Sequence, residues 1–143
     1  MEFDLIRQHF QGRGQPRNDT RLAVGDDAAL LDVPAGATVR MVRRLAKPEV
    51  RRPAGTTSTV QEHFTAPSAK LMLDSLLAEL PACAEPAWAL LAISTERPGA
   101  VWLADFAAEL DTACTDVGVE LVGGDTTRGA DCVELMLLAL EWT

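Results

Sequence analysis

The sequence predicts an α/β (α+β) fold, a single mixed sheet with helices packed on it, in one domain spanning residues 1–143. Three observations carry that prediction. Ala87–Ser94, "AWALLAIS", is apolar without a break, as in a strand buried on both faces. Trp102, Phe106, Leu110, Ala113 and Val117 then recur at helical spacing, with Gly118 placed to end the helix. Strand-like runs stand on either side of these two segments, so helices and strands alternate along the chain.

The other elements follow in order. Phe3, Ile6 and Phe10 fall at i, i+3 and i+7, which predicts a short amphipathic helix over the first ten residues, and "GRGQPRND" follows as a polar loop. "RLAVGDDAALLDVPAG" reads as strand, turn at Gly25-Asp26-Asp27, strand, and a stop at Pro34-Ala35-Gly36, although Asp27 could equally cap a helical turn. Thr38–Val42 is the next strand. From Arg43 to Ser58 the periodicity vanishes, and Pro48, Pro53 and Gly55 predict a long basic loop over 43–58. Pro67 opens a helix whose buried face is Leu73, Leu76, Leu77 and Leu80, ending near Pro81. Val119–Val122 is a strand that runs into a glycine-rich turn, and Cys132–Trp142 is the last strand.

Composition narrows the function classes. A hydrophobic fraction of 48% with 10 Gly and 8 Pro describes an ordinary globular chain. No apolar run reaches the roughly 18 residues of a membrane span, and Glu2 and Asp4 stand where a secretion signal would be basic, so the expected location is cytoplasmic with no membrane association. Cys83, Cys114 and Cys132 are widely spaced and read as reduced core residues. A net charge of −8 argues against nucleic acid as a partner. The charge is uneven, because six of the 13 basic residues lie between Arg40 and Arg52, against the single acid Glu49.

Two acidic glycine-containing segments could carry chemistry, Gly25-Asp26-Asp27 and Gly123-Gly124-Asp125-Thr126-Thr127-Arg128. Each follows a short apolar strand, so both can reach the same edge of a sheet. Aspartate carboxylates and threonine hydroxyls are hard oxygen ligands suited to Mg²⁺, and glycine lets backbone amides approach phosphate. The combination points to a Mg-nucleotide site. A surface turn with locally bonded Asp and Thr is the alternative for either segment alone.

"EFDLIRQHF", "VGDDAALLDVPAG", His63-Phe64, "AEPAWALLAIS" and "VELVGGDTTRG" occur in an order and spacing that resembles the N-terminal domain of the thiamine-monophosphate kinase family, within the aminoimidazole-ribonucleotide-synthetase superfamily. The resemblance implies ATP-dependent phosphorylation of thiamine monophosphate to thiamine diphosphate, with Mg²⁺ held by aspartates, and a homodimer with nucleotide near the subunit interface. By position it assigns metal binding to Asp27 and Asp125, with Asp26 as a further candidate. Nucleotide contacts fall on Gly124, Asp125 and Thr126, and a substrate contact on His63.

The chain departs from the family pattern at two places. Arg43-Arg44-Leu45 replaces a Ser/Thr-Thr-Asp run, and Ser75 and Ala78 replace the Asn and metal-binding Asp of a helix motif, while Lys70 matches the family's lysine. Asp74, one turn before Ala78, is a candidate substitute, and solvent exposure on the helix is the alternative. The family's C-terminal domain is not part of this chain. These departures predict weak or absent kinase activity for the isolated chain. The alternative function is a degenerate, non-catalytic paralogue acting as a nucleotide-binding or dimerisation module.

Overall fold

A computed structural model of the protein describes residues 14–22, 30–51, 63–65, 67–97 and 101–142. Its centre is a four-stranded sheet of β3 (Ala37–Ala46), β8 (Cys132–Trp142), β6 (Ala84–Ser94) and β7 (Glu120–Thr127), in that spatial order. β8 runs antiparallel to both neighbours, and β6 and β7 are parallel, joined through a helix. Two short antiparallel ladders accompany it, β1 (Thr20–Leu22) with β2 (Leu30–Leu31), and β4 (Glu49–Arg51) with β5 (His63–Thr65). The mixed sheet with helices is therefore the predicted fold class.

α1 (Ala69–Glu79) and α2 (Val101–Asp116) cover one face of the sheet. Ser68 caps α1, its hydroxyl accepting from the Leu71 N–H at 3.2 Å, and the Glu109 carboxylate on α2 accepts from the Ser68 hydroxyl and the Lys70 N–H. α2 ends where Gly118 adopts φ +73°, which lets the Val119 N–H bond back to the Cys114 carbonyl. Val133, Leu135 and Leu137 of β8 alternate into the helix-covered core with Leu91, Phe106 and Leu110. The opposite face holds a smaller cluster, Ala87, Trp88, Val122 and Leu140, with Leu31 of β2 packed on it.

Two expectations are corrected. The basic segment 43–58 is not loop from its start, since β3 continues through Arg43, Arg44 and Leu45 to Ala46, paired with Met136–Val133, and β4 lies at Glu49–Arg51. β3 is an edge strand whose arginines reach water from either face, so backbone pairing sets its length while its side chains show no periodicity. Likewise Gly123–Thr127 is strand where a turn was expected, because it pairs in parallel with Leu90–Ser94. The expected N-terminal helix and the turn at Gly25-Asp26-Asp27 lie outside the described residues.

The segment before β1 docks on the start of β7. Gly14 donates to Asp111 Oδ1 at 2.7 Å, Gln15 donates to the Val119 carbonyl at 2.8 Å, and Arg17 forms a two-pronged pair with Asp19. The hydrogen bonds from Arg17 hold the Asp19 carboxyl below its ordinary 3.8. That stabilisation is present above the ordinary value and is lost as pH falls through the lowered one.

The cysteines are free thiols, Cys83 exposed and Cys114 buried, and burial pushes the Cys114 thiol up to about 12. Since the thiolate is the reactive form, iodoacetamide on the native protein near pH 8 is expected to modify Cys83 and spare Cys114 until denaturant is added. Mass mapping of the alkylated peptides checks this, and equal native labelling of the two would contradict the packing.

Candidate functional site

The glycine-rich motif sits on β7, the edge of the central sheet opposite β3. Its register slips by one residue between Leu121, opposite Ala89, and Gly123, opposite Leu90, so Val122 is the extra residue of a bulge. Beyond the bulge the two strands crowd together. Gly124 has φ +151°, and a Cβ there would overlap the Leu91 carbonyl, so this position admits only glycine. The absent side chain at 124 is thus required by the neighbouring strand. A Cβ at Gly123 would stand 3.1 Å from the movable Leu90 Cδ2, a looser demand.

Asp125 is exposed, and its Oδ1 accepts from the N–H of Thr126 at 2.9 Å. Among the described residues its second oxygen is open to a cation or a donor. Among the described residues the buried Thr126 hydroxyl has no hydrogen-bond partner. The register sets Leu45, Glu134, Ala92 and Asp125 in one row across the sheet. Glu134 alternates with the core residues Val133 and Leu135, and Gly123 shares its face with Leu90 of the smaller cluster, so Glu134 and Asp125 project from the face away from the helices with only Ala92 between them. In the sequence Glu134 shows only as a lone acid within the apolar run of Cys132–Trp142.

At the same end of the sheet the turn after the motif is fastened to the end of β6. Thr95 Oγ1 and Asp131 Oδ1 are 2.7 Å apart, Arg97 Nη2 donates to Asp131 Oδ2 at 3.3 Å, and Ser94 Oγ would stand 2.7 Å from a Cβ at Gly129. Lys47, Pro48, Glu96, Arg97, Ala130 and Asp131 line a cleft of about 350 Å³ there.

Gly124, Asp125 and Thr126 are consecutive on one strand. Asp26 and Asp27 lie outside the described residues, and His63 is described through its backbone pairing with Arg51. Asp74 is bound to Lys70 at 2.8 Å in a surface pair and half exposed, so it belongs to the outer face of α1. Arg44 stands 3.9 Å from Glu79. Among the described residues no group of three or more His, Cys, Asp or Glu is placed to hold a metal ion. Asp125 supplies the chemistry of one hard-cation ligand and requires others from elsewhere to complete a site.

The family model described as AIR synthase related protein, N-terminal domain, matches residues 76–140. Thiamine-monophosphate kinase of Escherichia coli (strain K12) is 32% identical over 134 residues, covering 90% of this chain and 38% of that protein. The chain is a homologue of the N-terminal part of thiamine-monophosphate kinase. The crystal structure of thiamine-monophosphate kinase from Stenotrophomonas maltophilia K279a matches with a TM-score of 0.64 and 27% identity, covering 97% of this chain and 41% of that one. A further structure, a ThiL protein complexed with AMPPCP and TMP, shares the fold at a TM-score of 0.54 and 16% identity, covering 82% of this chain and 37% of that one. The chain spans about two fifths of the length of these relatives.

Proposed function

We propose that the chain is the N-terminal part of a cytoplasmic ATP-dependent kinase that phosphorylates thiamine monophosphate to thiamine diphosphate. The observation that carries this is the homology to thiamine-monophosphate kinase across 90% of the chain, joined to a motif strand that displays Asp125 at an exposed sheet edge. Asp125 and Asp27, with Asp26 assisting, would hold Mg²⁺, which supplies charge neutralisation when phosphoryl oxygens are transferred. The backbone at Gly124 and Thr126 would contact the nucleotide, and His63 the substrate. Arg128, which follows the motif directly, is a natural phosphate partner.

A second reading is favoured by one observation: arginines occupy β3 at positions 43 and 44, where the resemblance calls for carboxylate and hydroxyl ligands. Fewer acids and more fixed cations weaken a multi-metal pocket. On that reading the chain is a non-catalytic nucleotide-binding or dimerisation module.

Calorimetry with Mg-ATP tests the nucleotide site. The parent is expected to bind, and Asp27→Ala and Asp125→Ala each to weaken binding at least about 10-fold, as loss of a metal ligand does. No heat from the parent, or binding in both variants unchanged from the parent, sinks the Mg-nucleotide reading. In a turnover assay the isolated chain is expected to yield little or no thiamine diphosphate; appreciable product would refute that expectation and, with it, the non-catalytic alternative.

We also propose a homodimer. Val39, Met41 and Leu45 of β3 are exposed on the face away from the helices, with Met41 opposite Leu138 and Arg43 between Met41 and Leu45, and these apolar side chains on an edge strand are the surface proposed to meet a second copy. Sedimentation at micromolar concentration is expected to give a dimer that Met41→Glu with Leu45→Glu converts to monomer; a monomeric parent would end this proposal.

A further inference from the structure

We propose that Arg43 of β3 and Glu134 of β8 pair reciprocally between two copies of this chain, Arg43 of each meeting Glu134 of the other, an inference that rests on the homodimer proposed above. Both stand on the sheet face away from the helices. Val42 and Ala46 of β3 pack on the helix-covered core, so Met41, Arg43 and Leu45 project from the opposite face. Val133 and Leu135 of β8 are wholly buried in that core, so Glu134 between them projects on the side of Arg43. The register makes the two close neighbours. Arg43 lies opposite Met136 and Leu45 opposite Glu134, which sets Arg43 and Glu134 on one diagonal of the β3–β8 pair, about 7 Å apart.

The other arginines of β3 are answered within the chain. Arg40 Nε stands 2.6 Å from Glu141 Oε2, and Arg44, on the helix side, reaches Glu79 of α1 at 3.9 Å. Among the described residues the side chains of Arg43 and Glu134 form no ion pair or hydrogen bond. Arg43 is exposed and Glu134 half-buried. Their surround is apolar. Met41 and Leu45, 54% and 63% exposed, flank Arg43 along β3, and half-buried Met136 follows Glu134 along β8.

This pattern selects a second copy as the partner. A two-fold interface brings the same surface of both chains together, so a patch carrying one cation and one anion side by side complements itself when turned over. With the axis passing between Arg43 and Glu134, each guanidinium comes over the other chain's carboxylate, and the apolar side chains around them leave water together. A foreign partner of one charge sign would meet a like charge at the same place. Two copies of net charge −8 repel at long range, so the contact itself must supply the complementarity. A planar guanidinium can engage a carboxylate through two parallel bonds, which fixes the register of one sheet on the other. The pair therefore governs partner choice and alignment, while the apolar residues supply the burial.

Sedimentation equilibrium at micromolar concentration tests the pairing with parent, Arg43→Glu, Glu134→Arg and an equimolar mixture of the two variants. Each variant alone places two like-charged contacts in the interface, and its self-association is expected to weaken at least about 100-fold. In the mixture every contact is again between opposite charges, so a heterodimer of about the parent's affinity is expected. A pair formed within one chain predicts no such rescue, because each variant carries its two like charges with it. Circular dichroism checks that the variants are folded, and Glu134→Lys takes the place of Glu134→Arg where the longer side chain prevents folding. A dimeric parent whose variants each dimerise equally well, or whose mixture stays monomeric, overturns the pairing and leaves the dimer standing. A monomeric parent is a different result, and it ends the homodimer reading itself.

Discussion

Gly124→Ala is expected to destabilise the protein by about 3 kcal/mol or more, whereas Gly36→Ala costs about 1 kcal/mol. Both glycines have positive φ, +151° and +87°, so both substitutions strain the backbone. They differ in what the new methyl would meet. Among the described residues nothing lies within 4 Å of a Cβ at Gly36, while at Gly124 it would overlap the Leu91 carbonyl, and the Leu91 nitrogen stands at only 2.9 Å. Neither neighbour is a side chain that can swing aside, so β6 and β7 must part at the motif. Urea midpoints of the two variants measure the difference. Similar small shifts for both would mean that the strands are not held this closely. Because the parting occurs one residue from Asp125, Gly124→Ala should also abolish Mg-ATP binding under conditions where Gly36→Ala binds like the parent.

How legible this was in the sequence differs from element to element, for physical reasons. α2 and β8 could be read because each buries one face steadily: Trp102, Phe106 and Leu110 recur at the helical period, and Val133, Leu135 and Leu137 at the strand period. The end of β3 could not. Arg43–Ala46 is strand through its pairing with Met136–Val133, a contact some 90 residues away in sequence that leaves no local pattern. The motif misled in the opposite sense. Its glycines and polar residues carry the composition of a turn, but here glycine answers the close approach of a second backbone. Arg17 gave no signal at all, since a single arginine in a polar stretch looks the same whether it is solvated or bound to Asp19, Gly118 and Trp88.

The second large effect belongs to the core that holds the motif strand in place. Phe106 is fully buried between α2 and the sheet, in the same cluster as Leu91, Leu121 and Leu135. Phe106→Ala removes a ring and leaves a cavity that packed strands cannot collapse around, a change that costs about 3–5 kcal/mol. A domain of this size has only about 5–15 kcal/mol of stability in total, and the melting temperature should fall by about 10–20 °C. Leu71→Ala is the proper contrast, because Leu71 is 68% exposed on α1 and alanine is the better helix former. Its melting temperature should match that of the parent closely. A Phe106→Ala protein that melts with the parent would place Phe106 at the surface and detach α2 from the sheet, and with it the crossover that makes β6 and β7 parallel and brings Asp125 to the sheet edge.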